Sequence, residues 1–269
     1  FKSYKQERIV IPYFYFQYPL RAKREIKVKA AIRWQNSVSN NLSTIMELQA
    51  VKEEIYLIDG SAYIYRAYHA IAPLSNSKGV ATHAVLGFIN MVKRLIREKN
   101  PQYLVMAFDS RGPVFRHQLY SEYKANRPPM PDDLSVQIPF IKKFVAASNI
   151  LMLEEQDVEA DDIIASVVKR FTALGHKVVV VSGDKDLLQL VSDDVIMWDP
   201  MKDKVIDQEA VVKKYGVPSD QLLDLFALIG DSSDNIPGVP GVGPKTAQKL
   251  IGDFSSLDGL YAHVDGLKQ

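Results

Sequence analysis

The sequence predicts an α/β fold built on a parallel sheet with helices on both faces. Three observations carry this expectation. Short apolar runs at Ile55–Ile58, Tyr103–Phe108 and Lys177–Val181 are of the continuous kind used by strands covered on both faces. Stretches with helical spacing lie between them, and alternating strands and helices build parallel sheets. Each run is followed by acids: Asp59, Asp109, and the pair Asp184 and Asp186. Ligands of such sheets bind beyond the carboxyl ends of the strands. Three strands thus deliver carboxylates to one rim.

The elements follow in order from Glu54. The segment Thr82–Lys99 carries Val85, Phe88, Ile89, Val92 and Ile96 at helical spacing, and Asn100-Pro101 stops it. Residues 111–135 are proline-rich, basic and aromatic, with no clear period. A helix is expected from Ile138 to Ser148. Another runs from Glu159 to Phe171, with Ile163, Ile164, Val167 and Val168 facing the core. Residues 1–45 differ from all of this. Ile9 to Tyr18 is aromatic and interrupted by proline, and Arg21 to Lys29 is strongly basic. With Met46 just before the first strand, residues 1–45 are expected to be a basic leader, disordered or extraneous. A chain that begins at Phe1 is also expected to be a fragment.

Composition narrows the class. The chain has 269 residues, 47% hydrophobic and 24% charged, as in ordinary soluble globules. No apolar run is long enough for a membrane span. Zero cysteines exclude disulfides and thiolate metal sites, in agreement with a cytoplasmic location. The net charge of +1 conceals an asymmetry. Residues 1–52 hold ten Lys/Arg against three Asp/Glu, and residues 53–269 hold 23 against 29.

The chemistry lies in nine carboxylates: Asp59, Asp109, Glu159, Asp161, Asp162, Asp184, Asp186, Asp231 and Asp234. Singly they have ordinary explanations. Acids in a first helical turn complement the dipole, and Asp-Gly-Ser makes a turn. Jointly, so many acids converging would repel and raise one another's pKa unless cations neutralised them. Hard divalent ions with oxygen ligands suit them, and two such ions cleave phosphodiesters. A metal-dependent phosphoryl-transfer enzyme is therefore expected.

Two further segments point to nucleic acid. Phe115-Arg116-His117, Tyr120, Tyr123-Lys124 and Asn126-Arg127-Pro-Pro interleave cations with rings, a mixture suited to single strands. Ile236 to Leu250 is a Gly/Pro-rich turn before a helix, including Gly241, Gly243, Lys245 and Lys249. There, backbone amides can approach phosphate at a helix N-terminus. A solvated loop and an unliganded helix connection are the ordinary alternatives. The five histidines show no metal-ligand spacing, and no Walker-type loop is present.

These motifs occur together and in family order: Ile58-Asp-Gly-Ser61, Phe108-Asp109, Phe115 to Pro131, Val158-Glu-Ala-Asp-Asp162, Ser182-Gly-Asp-Lys-Asp186 and Ile229 to Gly243. Over about residues 54–269 the chain closely resembles the 5′-nuclease domain of bacterial DNA polymerase I, within the flap endonuclease family. The resemblance implies a PIN-like or resolvase-like nuclease core, a helical arch over the active site, and a C-terminal helix-three-turn-helix element. The nine acids fall on the family's metal-site acids, implying two, or three, Mg²⁺ or Mn²⁺ ions. Arg116, Tyr123, Lys124 and Arg127 fall on the arch. Lys124 and Arg127 are assigned to catalysis there, and Arg116 and Tyr123 to handling the 5′ strand. Gly241, Gly243, Lys245 and Lys249 fall on the element that grips duplex DNA and holds a monovalent ion, K⁺, in relatives.

The implied function is 5′→3′ exonuclease or 5′-flap endonuclease action in bacterial replication and repair. The implied partner is DNA with a 5′ flap, a nick or a 5′ end. The chain is expected to be monomeric and cytoplasmic, with no membrane partner, and a polymerase domain can follow in the parent protein. Expected divisions are a nuclease core over 46–215, with the arch at 111–135, and a truncated hairpin element over 216–269. Three alternatives stay open. A PIN-type ribonuclease would lack residues 115–131 and the hairpin. A haloacid-dehalogenase-type phosphatase would need an acid where Ser61 stands. A non-catalytic DNA-binding module would have no need of nine acids.

Overall fold

The computed structural model describes residues 54–263; the leader and Met46 lie outside them. Six strands form one sheet: β1 (Glu54–Asp59), β2 (Tyr103–Phe108), β3 (Leu151–Glu154), β4 (Lys177–Val181), β5 (Val195–Asp199) and β6 (Lys204–Ile206), in the order β3-β2-β1-β4-β5-β6. The first five are parallel, as expected, while β6 pairs antiparallel with β5 and closes one edge.

Alternation within the strands divides the core. Ile55, Leu57, Val105, Ala107, Val178 and Val180 face one side, packed with Ile163, Ile164, Val167 and Val168 of α6 (Ala160–Thr172). Tyr56, Ile58, Met106, Phe108, Val179 and Val181 face the other. They meet α1 (Gly60–Ala70), α2 (His83–Lys99) and α5 (Ile138–Ala147). The segment 111–135, expected to be aperiodic, contains two short helices, α3 (Phe115–Leu119) and α4 (Asp132–Ser135).

The expected helix at 82–99 is present, and Asn100 ends it in a left-handed conformation at φ 45°. Its buried face is turned from the one the spacing suggested. Ala84, Gly87, Phe88, Val92 and Leu95 are buried, Val85 and Ile89 are only partly covered, and Ile96 is exposed. The reason is the contact with α1. A Cβ on Gly87 would lie 2.9 Å from the Ala67 carbonyl oxygen, so the side without a side chain faces α1 and sets the rotation.

Beyond the sheet the chain continues through α7 (Gln208–Tyr215) and α8 (Leu222–Ile229) to a two-stranded turn, β7 (Gly230–Asp231) with β8 (Ile236–Pro237). Helices α9 (Pro244–Phe254) and α10 (Leu257–Ala262) complete the described residues. Ala247, Ile251 and Leu257 join Leu222, Leu225 and Phe226 in the same buried cluster as α6 and the sheet. Among the described residues no helix is long and apolar enough to cross a membrane.

Gly87→Val should force α1 and α2 apart and destabilise the chain by about 1–3 kcal/mol, the usual cost of overpacking. Urea titration followed by circular dichroism measures this. A stability equal to that of the parent would show that the crossing has slack.

Candidate active site

The sheet order reverses between β1 and β4, since β2 and β3 extend one way from β1 while β5 extends the other. Crevices form at the carboxyl ends of strands flanking such a reversal. Asp59 ends β1 and Asp184 follows β4, so both sit at this point. Hydrogen bonds tie them together. Ser182 donates from Oγ to Asp59 Oδ2 at 3.0 Å and accepts from the Asp184 N–H at 3.1 Å. The other Asp59 oxygen caps α1 by accepting from the Ala62 N–H at 2.9 Å. Asp109, at the end of β2, accepts from the Ala160 N–H at 2.7 Å, and this fixes the start of α6 beside it.

Asp161 projects from that first turn. Its carboxyl is pushed well above the ordinary range by burial and by the charges of Asp59, Asp184 and Asp109. Burial, with the charges of Asp109 and Asp184, likewise raises Asp59 to about 6, although Ala62 and Ser182 act against the shift. Asp59, Asp109, Asp161 and Asp184 thus form one mutually repelling group. Among the described residues, no Lys or Arg pairs with any of these four carboxylates within 4.0 Å.

Asp186, Asp231 and Asp234 form a second group, with one ligand atom from each lying within 4.8 Å of the others. Burial and Asp184 raise Asp186 to about 7, and its Oδ1 is buried without a hydrogen-bond partner. Burial would also raise Asp231, but Ser233 and Lys185 hold it below the ordinary range. An all-oxygen donor set with an unsatisfied buried carboxylate oxygen fits a hard divalent cation.

Glu159 and Asp162 are engaged differently. Arg116 donates to both Asp162 oxygens, at 2.6 and 2.7 Å, and lies 3.0 Å from Glu159. Tyr123 donates its hydroxyl to Glu159 at 2.8 Å, and Lys124 Nζ to the other oxygen at 2.5 Å. Burial alone would raise Glu159, but Arg116, Lys124 and Tyr123 hold it below the ordinary range. Arg116 and Tyr123 are only 7% and 4% exposed. The two buried acids at the start of α6 need a buried cation and donor, and in the free protein Arg116 and Tyr123 supply them.

Lys124 and Arg127 do reach the rim. Lys124 has φ 57°, and its N–H donates to the Asp234 carbonyl at 3.0 Å. Arg127, half-exposed, pairs with the Asp234 carboxylate and donates from Nε to the Ser233 carbonyl at 3.3 Å. Asn126 and Asn235 add side-chain bonds to the Ser232 and Glu122 carbonyls. The basic segment is thereby laced to the loop that carries the second acid group.

At the hairpin, Gly241, Gly243, Lys245 and Lys249 are all exposed on one turn and the helix it begins. Gly241 has φ +80°, a conformation that L side chains rarely adopt. Gly243 does not require glycine for the fold. Its backbone is extended, at φ −89° and ψ 177°, and a Cβ there would meet nothing within 4 Å. A disturbed turn is therefore not expected from replacing it, and only close approach of a ligand would demand its small size. Ser182, Ser61 and Ser233, which bind Asp59, the Asp109 N–H and Asp231, were not identified from sequence. Their adjacency to acids in the motifs was the available signal.

Two outcomes follow from this geometry. Arg116→Ala would leave buried Asp162 without its cation, while Glu159 keeps Lys124 and Tyr123, and should cost about 3–5 kcal/mol; denaturant unfolding measures it, and a loss under 1 kcal/mol would contradict the pairing. The second concerns pH without added metal. Asp59 and Asp186 bind protons more tightly when folded than in the unfolded chain, so their ionisation opposes folding. Stability should therefore rise as pH falls from about 8 through 7 and 6. It should decline at lower pH, where Glu159 and Asp231, depressed in the fold, become protonated. Thermal melts in chelator across this range test the sign, and Asp186→Asn should flatten the upper part of the curve.

A family model described as "5'-3' exonuclease, N-terminal resolvase-like domain" matches residues 54–216, and another, "5'-3' exonuclease, C-terminal SAM fold", matches residues 217–269. The chain is 45% identical over 206 residues to a 5'-3' exonuclease of Aquifex aeolicus, covering 77% of this chain and 71% of that protein. It is 41% identical over 221 residues to DNA polymerase I of Caldicellulosiruptor bescii, covering 80% of this chain but 26% of the relative. The chain thus spans about a quarter of that polymerase. Among solved structures, a zinc-bound T5 5'-exonuclease superposes with TM-score 0.67 at 23% identity, covering 80% of each chain. A bacteriophage T5 flap endonuclease complexed with DNA and metal ions gives the same score and identity, again over 80% of each chain. With both parts of the family matched and this relative covered over most of its length, the chain belongs to the 5′-3′ exonuclease family.

Proposed function

We propose that the chain hydrolyses DNA phosphodiesters near a 5′ end, as a 5′→3′ exonuclease and 5′-flap endonuclease dependent on Mg²⁺ or Mn²⁺. The observation that carries this reading is the pair of carboxylate groups at the sheet's switch point, one of them with a buried, unsatisfied Asp186 oxygen. Asp59, Asp109, Asp161 and Asp184 would hold one ion, and Asp186, Asp231 and Asp234 the other. When bound, such ions supply an activated water and charge stabilisation at the leaving oxygen. Glu159 and Asp162 position the arch through Arg116, Tyr123 and Lys124.

Lys124 and Arg127 bind the scissile phosphate and stabilise the charge that develops on it. Both already lie at the acid rim, where a phosphate would compete with Glu159 and Asp234 for them. Residues 216–269 form the duplex-gripping element, with the amides around Gly241 and Gly243 and the ammonium groups of Lys245 and Lys249 on phosphates. A K⁺ ion belongs at the same turn. The substrate is DNA with a 5′ flap, nick or 5′ end, and the working form is a monomer in the bacterial cytoplasm.

A labelled 5′-flap duplex, incubated with and without Mg²⁺ beside single-stranded RNA and a small phosphate ester, tests the reading. Only the flap should be cut, and only with the ion. Asp161→Asn and Asp184→Asn should each lower that cutting by orders of magnitude while the far-ultraviolet spectrum is unchanged. Preferential cleavage of the RNA would favour a PIN-type ribonuclease instead. For the hairpin, Lys245→Ala should weaken binding to all duplex sequences alike and reduce the salt slope by about one if one phosphate contact is lost. An unchanged slope would remove Lys245 from the duplex grip.

A further inference from the structure

Lys185 stands inside the acid rim, between Asp184 and Asp186, and the two-ion reading assigns it no role. Its Nζ donates to Asp231 Oδ2 at 2.9 Å. The other Asp231 oxygen accepts from both the N–H and the hydroxyl of Ser233, at 2.9 and 2.6 Å, so each Asp231 oxygen is occupied. Asp231 is only 3% exposed. The Lys185 ammonium also lies 5.2 Å from the Phe226 ring centroid, on α8.

The two acid groups differ in their cations. The group of Asp59, Asp109, Asp161 and Asp184 has none paired to it among the described residues. The group of Asp186, Asp231 and Asp234 has Lys185 on Asp231 and Arg127 on Asp234, with Lys124 3.8 Å from Asp234. Lys124 and Arg127 belong to the segment that would follow a phosphate. Lys185 is held by the backbone of the acid motif itself, so it remains.

We propose that Lys185 is a resident cation of the second acid group, a positioning residue that sets how weakly the second divalent ion is held; this rests on the metal reading above. The ammonium lowers the formal charge of Asp186, Asp231 and Asp234 from −3 to −2. It also keeps Asp231 ordered when no divalent ion is present. An ion entering the group meets a fixed positive charge and an Asp231 whose oxygens are shared. The first group shares its oxygens too, with Ser182, Ala62 and Ala160, but has no cation paired to it among the described residues, so the charge of Lys185 makes the two sites differ in affinity.

The test is Mn²⁺ binding to the whole chain without DNA, read by isothermal titration calorimetry and by the electron paramagnetic resonance signal of free Mn²⁺. Wild-type protein should show two classes of site. Lys185→Met should tighten the weaker class by about tenfold or more, as one unit charge beside a divalent ion produces even in a water-like dielectric, and leave the tighter class unchanged. Lys185→Arg keeps the charge and should keep the wild-type affinity. Lys185→Gln retains a donor for Asp231 and should behave as Lys185→Met, which covers a methionine variant that does not fold. An unchanged or weakened second class in folded Lys185→Met or Lys185→Gln would reduce Lys185 to an ordinary ion pair. Wild-type protein that bound no Mn²⁺ would instead remove the metal reading itself, and this inference with it.

Discussion

Repulsion among carboxylates confined to one rim is the constraint on which the rest of this molecule turns. The parallel sheet puts acids there by register, because strands that start together end together. Such crowding raises pKa values unless charge is compensated. The chain compensates unevenly. Glu159 and Asp162 are neutralised by Arg116 and Lys124, and Asp231 and Asp234 by Lys185 and Arg127. Asp59 and Asp161 are left to repel their neighbours and carry raised pKa values. Unspent repulsion at that point is an electrostatic driving force for a cation, and it is strongest where the sheet order reverses.

The same bookkeeping explains the basic segment. Residues 122–127 have little apolar content of their own, and polar bonds to 232–235 hold them in place. Lys124 accepts an uncommon backbone conformation at φ 57°, which its N–H bond to the Asp234 carbonyl and its ammonium bond to Glu159 help to hold. Polar lacing is exchangeable in a way that apolar packing is not. A phosphate offers Lys124 and Arg127 an equivalent partner, so the contacts that order this segment in the free protein are the ones a substrate would replace. Arg116, buried behind them, fixes the segment's base through Asp162 and Glu159.

Much of this was legible in the sequence, for identifiable reasons. The strands β1, β2 and β4 are continuous apolar runs because both faces are covered, and α6 declared its buried face through Ile163, Ile164, Val167 and Val168. Edge strands were not legible. Leu151–Glu154 is only partly buried and short, and β6 contributes three residues. The face of α2 was misplaced because the spacing of Val85, Ile89 and Ile96 competes with a face centred on Gly87, a residue with no hydrophobic signal. At the site, acids could be identified but not sorted. Whether a carboxylate meets a cation depends on which arginine folds over it, and residues 116 and 162 are brought together only by the fold. Nor does residue type alone reveal that Arg116 and Tyr123 are buried against Asp162 and Glu159.

One helix joins the two ends of the proposed activity. The last turn of α8 leads directly into Gly230 and Asp231, and the β7–β8 turn continues to Gly241 and α9. Phe226 of α8 faces Lys185 from the acid rim, while Leu222, Leu225 and Phe226 share a buried cluster with Ala247 and Ile251 of α9. The hairpin is therefore part of the core that supports the sheet, not an appendage on a linker. A duplex held at the hairpin, as proposed, would bear on the same buried cluster that packs against the sheet below the acids. Under the proposed function, selection of a junction between duplex and 5′ strand would need no base reading: a grip packed on the sheet's own core, together with a basic segment held over the rim by polar bonds, would supply it.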